Sequence, residues 1–525
     1  MPDGVHHEDW RPRHNPWLIA LAVMMAVFME VLDTSIANIA LPHIAGSLSA
    51  TTDEATWVLT SYLVSNAIIL PMTGWLGNYF GRKRVLLSCV MMFTFASVLC
   101  GLAWNLPTLI LARILQGIGG GAMVPIAQAV LLESFPVNKR GAAMAMFAMG
   151  VVVAPILGPT LGGWITDNYS WRWIFYINVP FGIAAVFLQQ WLVEDPPYIK
   201  RDEKADIDFI GFGLLAVWLA TLQITLDKGQ EEDWFQSSWI CWLTVISALS
   251  LIGFIAREFT AEHPLVDLRV FKNRNFTVGL VLMLSLAAIL YGTTAELPLF
   301  LQTLMGYPAL QSGYAMSPRG IAAFITTFIV GRLVGRIRMR WMLCFGFTML
   351  AVSSFMLSNI TLQVSLARVI WPSVVNGIAI SFIFVPLTTA TMSQLRQQQL
   401  GNATGIYNLT RNLGGSIGIA FVTTMLARGA QVHQALMVGH LTPTDPVFTQ
   451  QLAAAQHVFT RHTDLATAKT QAYSILYGTL DHQAHLWAFV DNFRLFGLLA
   501  LCGIPLIFLF KRIPRSPARP AAGAH

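Results

Sequence analysis

Two carboxylates, Glu30 and Asp33, stand three residues apart in "FMEVLDTSIANIALP" (28–42), a stretch that is otherwise apolar. Spacing of i, i+3 puts both on one helix face, roughly 5–6 Å apart. A charge at the centre of a bilayer costs roughly 2.5–3.5 kcal/mol on insertion scales, so two acids there call for a purpose. Acids sharing a low-dielectric site cannot both ionise cheaply. At least one is expected to hold a proton near neutrality, and the two to titrate as one coupled unit. Such a site releases its proton when a cation or a nearby Arg arrives. That mutual exclusion of proton and cargo is antiporter chemistry. The alternatives are a carboxylate that only hydrogen-bonds neighbouring helices, or a span shifted so that Glu30 meets an aqueous vestibule.

"RILQGIGGGAMVP" (113–125) sets Arg113 about one turn inside the outer end of a fourth apolar run. An unpaired Arg is unfavourable there, so a partner is expected: Gln116 one turn along, or an acid from the first run. Snorkelling to the interface is the alternative. Gly117 and Gly121 form a GxxxG close-packing face. In "GVVVAPILGPTLGGW" (150–164), Gly150, Ala154, Gly158 and Gly162, with Gly163 beside them, make a smooth stripe at intervals of four. Pro155 and Pro159 remove backbone donors and bend the helix, which marks it as a conformational seam. Asn38, Gln116, Glu296 and Arg411 are further polar candidates for a substrate cavity. Glu296 precedes Leu297-Pro298 near an outer mouth, where solvation is the alternative. Arg411, mid-span, needs an acid or polar backbone, and would contact anionic substrates or hold the second bundle together.

Composition says what must position these groups. Of 525 residues 55% are hydrophobic and 11% charged, against about 25% charged in soluble domains, which is a membrane composition. The net charge of +6 lies in short basic runs between apolar segments, which excludes a nucleic-acid-reading surface. Five cysteines without CxxC spacing argue against a disulfide framework or metal site. Residues 1–16 read as a polar cytoplasmic lead into a retained first span.

Apolar runs long enough for ~30 Å of hydrocarbon fall at 17–41, 54–76, 84–104, 107–131, 140–166, 172–193, 207–226, 237–257, 275–300, 312–335, 339–360, 366–392, 402–427 and 486–511, fourteen in all. Lys and Arg crowd the even-numbered connections, for example "GRKR" (81–84) and "GRIRMR" (335–340), so both termini are expected to be cytoplasmic. Residue pairs recur at offsets of 256 to 260: Leu41-Pro42 with Leu297-Pro298, Gly74 with Gly331, Gly117 with Gly377, Gly158 with Gly418. The expected organisation is an N-terminal six-helix bundle (17–193), two inserted helices (207–257), a C-terminal six-helix bundle (275–511) and a tail (512–525). Parallel six-span repeats describe a large class of secondary transporters with their site between the halves. The external segment 428–485 carries six histidines, with an HxxxxD at His440 and Asp445. Its apolar points Phe448, Leu452, Ala455, Val458 and Phe459 at helical spacing suggest an amphipathic face for a partner.

These motifs carry a resemblance. "GVVVAPILGPTLGG" resembles the antiporter motif of the major facilitator superfamily, and "LDTSIANIALP" (32–42) is similar to the first-span motif of its drug:proton antiporters. "RILQGIGGG" resembles the Arg-containing fourth-span motif, and "WRWIFYINVP" (171–180) the sixth-span entry of the fourteen-span branch. The whole most resembles the inner-membrane pumps of bacterial Emr-type multidrug efflux systems. The resemblance implies an all-α major facilitator fold with fourteen transmembrane helices in a bacterial inner membrane. It implies proton-coupled export of amphipathic drugs or toxicants, no cofactor beyond the proton gradient, and partners in a periplasmic adaptor and an outer-membrane channel. The residues themselves point to Asp33 as the coupling carboxylate, with Glu30 its companion in the acid pair and Arg113 its modulator. The cytoplasmic gate maps to Gly74, Asn78, Gly81 and Arg82 of "GWLGNYFGRKR", with Asn78 where the family usually has Asp. A symporter or uniporter would share the fold without needing the antiporter pattern. A membrane enzyme would use the His-rich segment.

Overall fold

Apolar composition and well-formed caps make the described residues predominantly helical. The structure, a computed structural model, describes residues 12–136, 139–196, 208–261, 264–334, 336–396, 399–439, 441–442, 444–461 and 463–511. The N-terminal half holds α1 (Pro16–Ser47), α2 (Thr52–Ile69), α3 (Thr73–Phe80), α4 (Arg82–Leu102), α5 (Leu106–Gly121), α6 (Met123–Ser134), α7 (Arg140–Asn168), α8 (Trp173–Tyr176) and α9 (Asn178–Leu192). Next come α10 (Phe209–Lys228) and α11 (Ser238–Thr260). The C-terminal half holds α12 (Arg274–Thr303), α13 (Ala309–Leu333), α14 (Met339–Leu357), α15 (Leu366–Met392), α16 (Leu400–Val438), α17 (Pro446–Phe459) and α18 (Leu465–Ile507). Capping boxes at Thr51/Glu54 and Asn105/Thr108 start α2 and α5, satisfying amide groups that have no intrahelical acceptor. At the start of α18, hydrogen bonds from the hydroxyl and then the backbone N–H of Thr467 hold the Asp464 carboxyl below its ordinary range.

Twelve helices among the described residues are long and apolar enough to cross a membrane. The count is thirteen if the bent pair Arg140–Pro155 and Thr160–Asn168, which meet at 40°, is one span. The expectation of fourteen exceeds this. The remaining segment, α13, is helical, but Gln311, Ser312, Ser317, Arg319, Thr326 and Thr327 dilute its apolarity. It lies between α7 and α15, where Ser312, Arg319 and Thr327 are buried. The segment 428–485 is not an irregular loop: α16 runs on to Val438 and α18 starts at Leu465. Between them α17 lies against α18, with Phe448 buried and its ring 6.5 Å from Tyr473. The amphipathic face expected to await a partner is therefore partly used inside the chain, although Val458 stays exposed. His440 lies outside the described residues, as does His462.

The repeat seen in sequence is a repeat of contacts. A Cβ on Gly117 of α5 would lie 2.5 Å from the Tyr62 carbonyl of α2, and one on Gly377 of α15 would lie 2.1 Å from the Arg319 carbonyl of α13. Likewise Gly158 of α7 meets Ser35 of α1, and Gly418 of α16 meets Ala288 of α12. The halves touch each other through α7 on α13 and through α3 and α6 on α16. A Cβ on Gly74 would sit 2.7 Å from Asn402 Cα, so backbone meets backbone there.

The inserted α10 bridges the halves. Toward α2, Thr60 pairs with Asp227, and Lys228 Nζ donates to Thr56 Oγ1 (2.5 Å). Toward α16, the side chains of Gln223 and Ser416 exchange hydrogen bonds of 2.8 and 3.0 Å. Replacing Gln223 with Leu removes these bonds and is expected to cost about 1–2 kcal/mol. Thermal unfolding of the purified variant checks this, and an unchanged midpoint would argue that α10 carries no load at this joint.

Candidate functional site

Asp33 is almost fully enclosed and ends in three donors from two other helices. Arg113 Nη1 of α5 donates to Oδ2 at 2.6 Å, while Gln116 Nε2 (3.0 Å) and Asn178 Nδ2 of α9 (2.7 Å) donate to Oδ1. Arg113, 0% exposed, also donates from Nη1 to Gln116 Oε1 (2.8 Å) and from Nε to the Val58 carbonyl (3.1 Å). Its guanidinium lies 4.3 Å from the Tyr62 ring centroid and 5.5 Å from that of Phe175, two cation–π contacts that favour a desolvated cation. Ser97 of α4 closes the network, accepting from Gln116 at 2.7 Å and from Asn178 at 3.3 Å. Arg113 thus does not snorkel; it has both partners the spacing offered.

Glu30 belongs to a different network. Its Oε1 accepts from the Tyr62 hydroxyl and from Asn66 Nδ2, both of α2 and both at 3.2 Å. Side chains three apart on a helix diverge by roughly 60°. That divergence sends Asp33 to the cation and Glu30 to neutral donors. The two acids have separate hydrogen-bond partners, with Tyr62 touching both networks through its hydroxyl on Glu30 and its ring beside Arg113, while the charge of Asp33 still acts on Glu30. Asn66 extends the Glu30 network across the halves, because Asn412 Nδ2 of α16 donates to Asn66 Oδ1 (3.2 Å). Arg411, buried next to Asn412 in sequence, interacts with Glu30 electrostatically, and among the described residues its Nε and Nη1 have no hydrogen-bond partner. A further buried bond joins the halves from Asn408 Nδ2 to Gln128 Oε1 (2.7 Å).

The Major Facilitator Superfamily model matches residues 23–419. The chain belongs to the major facilitator superfamily. Its relatives include the multidrug export protein EmrB of Escherichia coli K12, 37% identical over 97% of this chain and 98% of that protein. The fatty acid resistance protein FarB of Neisseria gonorrhoeae is 36% identical over 97% of each chain. Among solved structures, the human organic anion transporter MFSD10 shares the fold with a TM-score of 0.61 at 12% identity, covering 94% of this chain and all of that one. This superfamily member is a polytopic membrane transporter and not an enzyme.

The glycine stripe of α7 packs inward. Cβ atoms on Gly150 and Gly158 would meet Met24 and Ser35, and Gly162 faces Ile36, so the stripe seats α7 on α1 of its own half. It does not form the seam between halves, which α7 makes instead with α13, as at Gly141 on Val334. Ser35 Oγ donates to the Pro155 carbonyl (3.0 Å), whose usual helical donor is missing because residue 159 is proline. Ala154 is buried, while Gly163 meets nothing within 4 Å; the Pro159 side chain lies outside the described residues.

At the gate motif, Gly81 takes φ +88°, the left-handed region open to glycine. Arg82 forms a buried ion pair with Glu133 of α6, and Lys83 N–H donates to Asp195 Oδ1 (2.8 Å). Asn78 is exposed and takes no part in these contacts. Asn38 is exposed as well and bonds back to the Thr34 carbonyl (3.3 Å). Glu296, expected near solvent, is 0% exposed. Sequence reasoning missed Tyr62, Asn66, Ser97, Asn178, Glu133 and Asp195. Only Asn178 lay within a quoted motif.

Proposed function

We propose that this transporter exports amphipathic small molecules in exchange for protons, with Glu30 as the exchanging carboxyl. The observation that carries the reading is the split of the two acids. Asp33 is tied to Arg113, so taking up a proton would break a buried ion pair. Glu30 accepts its hydrogen bonds from neutral donors, with Arg411 acting on it through charge alone among the described residues, and one of those donors, Asn66, also holds the second half. Proton uptake at Glu30 weakens it as an acceptor for Asn66 and loosens the Asn66–Asn412 link, which lets the halves rock. Substrate and proton then favour opposite states of one joint, the condition for exchange. Asp33, Arg113, Gln116 and Asn178 keep α1 in register with α5 and α9 while this happens.

Relatives named for multidrug export and fatty acid resistance support drugs or lipophilic toxicants as cargo. We read α13 as a span too, which makes fourteen, in a bacterial inner membrane with both termini cytoplasmic. The helical projection α16–α17–α18 would face a periplasmic adaptor that leads to an outer-membrane channel. The test is export of a fluorescent amphipathic dye from energised cells and vesicles. Wild type is expected to export it against its gradient and to stop when the proton gradient collapses. Glu30→Gln should fall to the background rate with normal membrane insertion. Export by Glu30→Gln that still depends on the gradient would remove Glu30 from the exchange, and dye uptake in place of export would favour a symporter.

A further inference from the structure

Glu296 of α12 lies on the seam between α12 and α18, and that seam is an antiparallel ladder. One turn before it, a Cβ on Gly292 would lie 2.4 Å from the Phe496 ring. One turn after it, the Phe300 and Phe489 rings meet edge-on at 5.5 Å. Between these aromatic seals Glu296 faces Asn492, whose amide is also turned to the Val422 carbonyl (3.4 Å). Among the described residues neither carboxyl oxygen has a well-formed hydrogen bond.

The buried or paired charged groups on the helices packed against α12 have partners other than Glu296. Arg319 of α13 donates to Thr294 Oγ1 (3.0 Å) and toward the Leu290 carbonyl (3.5 Å). Arg411 of α16 interacts with Glu30. His433 of α16 and Arg494 of α18 both pair with Asp491, at 2.8 and 3.3 Å. Arg368 of α15 is exposed. An ionised carboxylate without a partner in such surroundings costs several kcal/mol, whereas a neutral acid does not carry that penalty.

We infer that Glu296 is a second proton-binding group of the transporter, sealed in its neutral form between α12 and α18 and separate from Glu30. When α12 and α18 part at the Phe300–Phe489 contact, water reaches the carboxyl, its O–H bond breaks, and the proton leaves to that water. This transport step rests on the exchange reading above; the neutral, enclosed carboxyl does not.

Infrared spectroscopy of the full chain in lipid nanodiscs at neutral pH tests it. Wild type is expected to show a protonated-carboxyl C=O stretch that Glu296→Gln loses and Glu30→Gln keeps. Glu296→Asp should retain a shifted band, which preserves the test where the Gln variant fails to fold. In heavy water the wild-type band should exchange slowly, and Phe489→Ala should speed that exchange. Superimposable spectra for wild type and Glu296→Gln, or an unmoved band in Glu296→Asp, would overturn the inference. Failure of dye–proton exchange would leave this band in place, and absence of the band would leave exchange at Glu30 standing, so the two readings fail separately.

Discussion

Asp33→Asn is expected to abolish gradient-driven export and to destabilise the protein by about 3–5 kcal/mol, the cost of stranding one partner of a buried ion pair. The substitution preserves shape, so the loss follows from hydrogen-bond accounting. Asp33 accepts from Arg113 on one oxygen and from Gln116 and Asn178 on the other. An Asn side chain has one oxygen and one NH2. If the oxygen turns to Arg113, the NH2 faces two amide donors; if it turns to the amides, the NH2 faces a guanidinium. In either orientation a buried donor loses its acceptor, and Arg113 keeps a charge with no counter-ion. The paired variant Asp33→Leu with Arg113→Met removes both charges and should recover most of the unfolding midpoint without recovering export. Wild-type export in Asp33→Asn would show that α1 does not depend on this anchor.

The contrast between Asp33 and Glu296 explains what could be read without coordinates. Asp33 and Arg113 were legible because a charge in an apolar run must find its complement, and Gln116 lies one turn from Arg113 on the same face. The neutral groups that complete the site were not. Tyr62, Asn66, Ser97 and Asn178 are neutral, ordinary in type, and come from three other helices. Nothing local says which face of α2 or α9 turns toward α1. Glu296 was misjudged because its place near a helix end suggested water. Its seal comes from α18, nearly 200 residues away, whose Phe489 and Phe496 bracket it. The antiporter glycines announced a close contact but not its partner, since a smooth stripe fits α1 as well as a helix of the other half. Twelve or thirteen apolar spans among the described residues differ from the fourteen runs of the sequence at α13 for a related reason: a helix enclosed between two others can afford the polar residues that hydropathy counts against it.

Gly117→Val is expected to lose export completely and to cost about 1–3 kcal/mol, the range for overpacking a close contact. Gly117 is where α5 rides on the backbone of α2: a Cβ there would lie 2.0 Å from Ser65 Oγ, 2.5 Å from the Tyr62 carbonyl and 3.2 Å from Asn66 N. Ser65 can rotate away, but the carbonyl cannot without moving α2. Gly121 repeats the contact one turn on, 2.6 Å from the Asn66 carbonyl, so tilting the helices apart at one point loads the other. The residues displaced are those that matter, because Tyr62 and Asn66 hold Glu30 and the Tyr62 ring supports Arg113. A change one helix away from either acid therefore dismantles both networks. Gly163→Ala is the control: that glycine sits in an equally glycine-rich run but meets nothing within 4 Å, and its variant should export and unfold like wild type. Equal behaviour of the two variants, in dye export and in thermal unfolding, would mean that the α2–α5 contact does not set the geometry of the site.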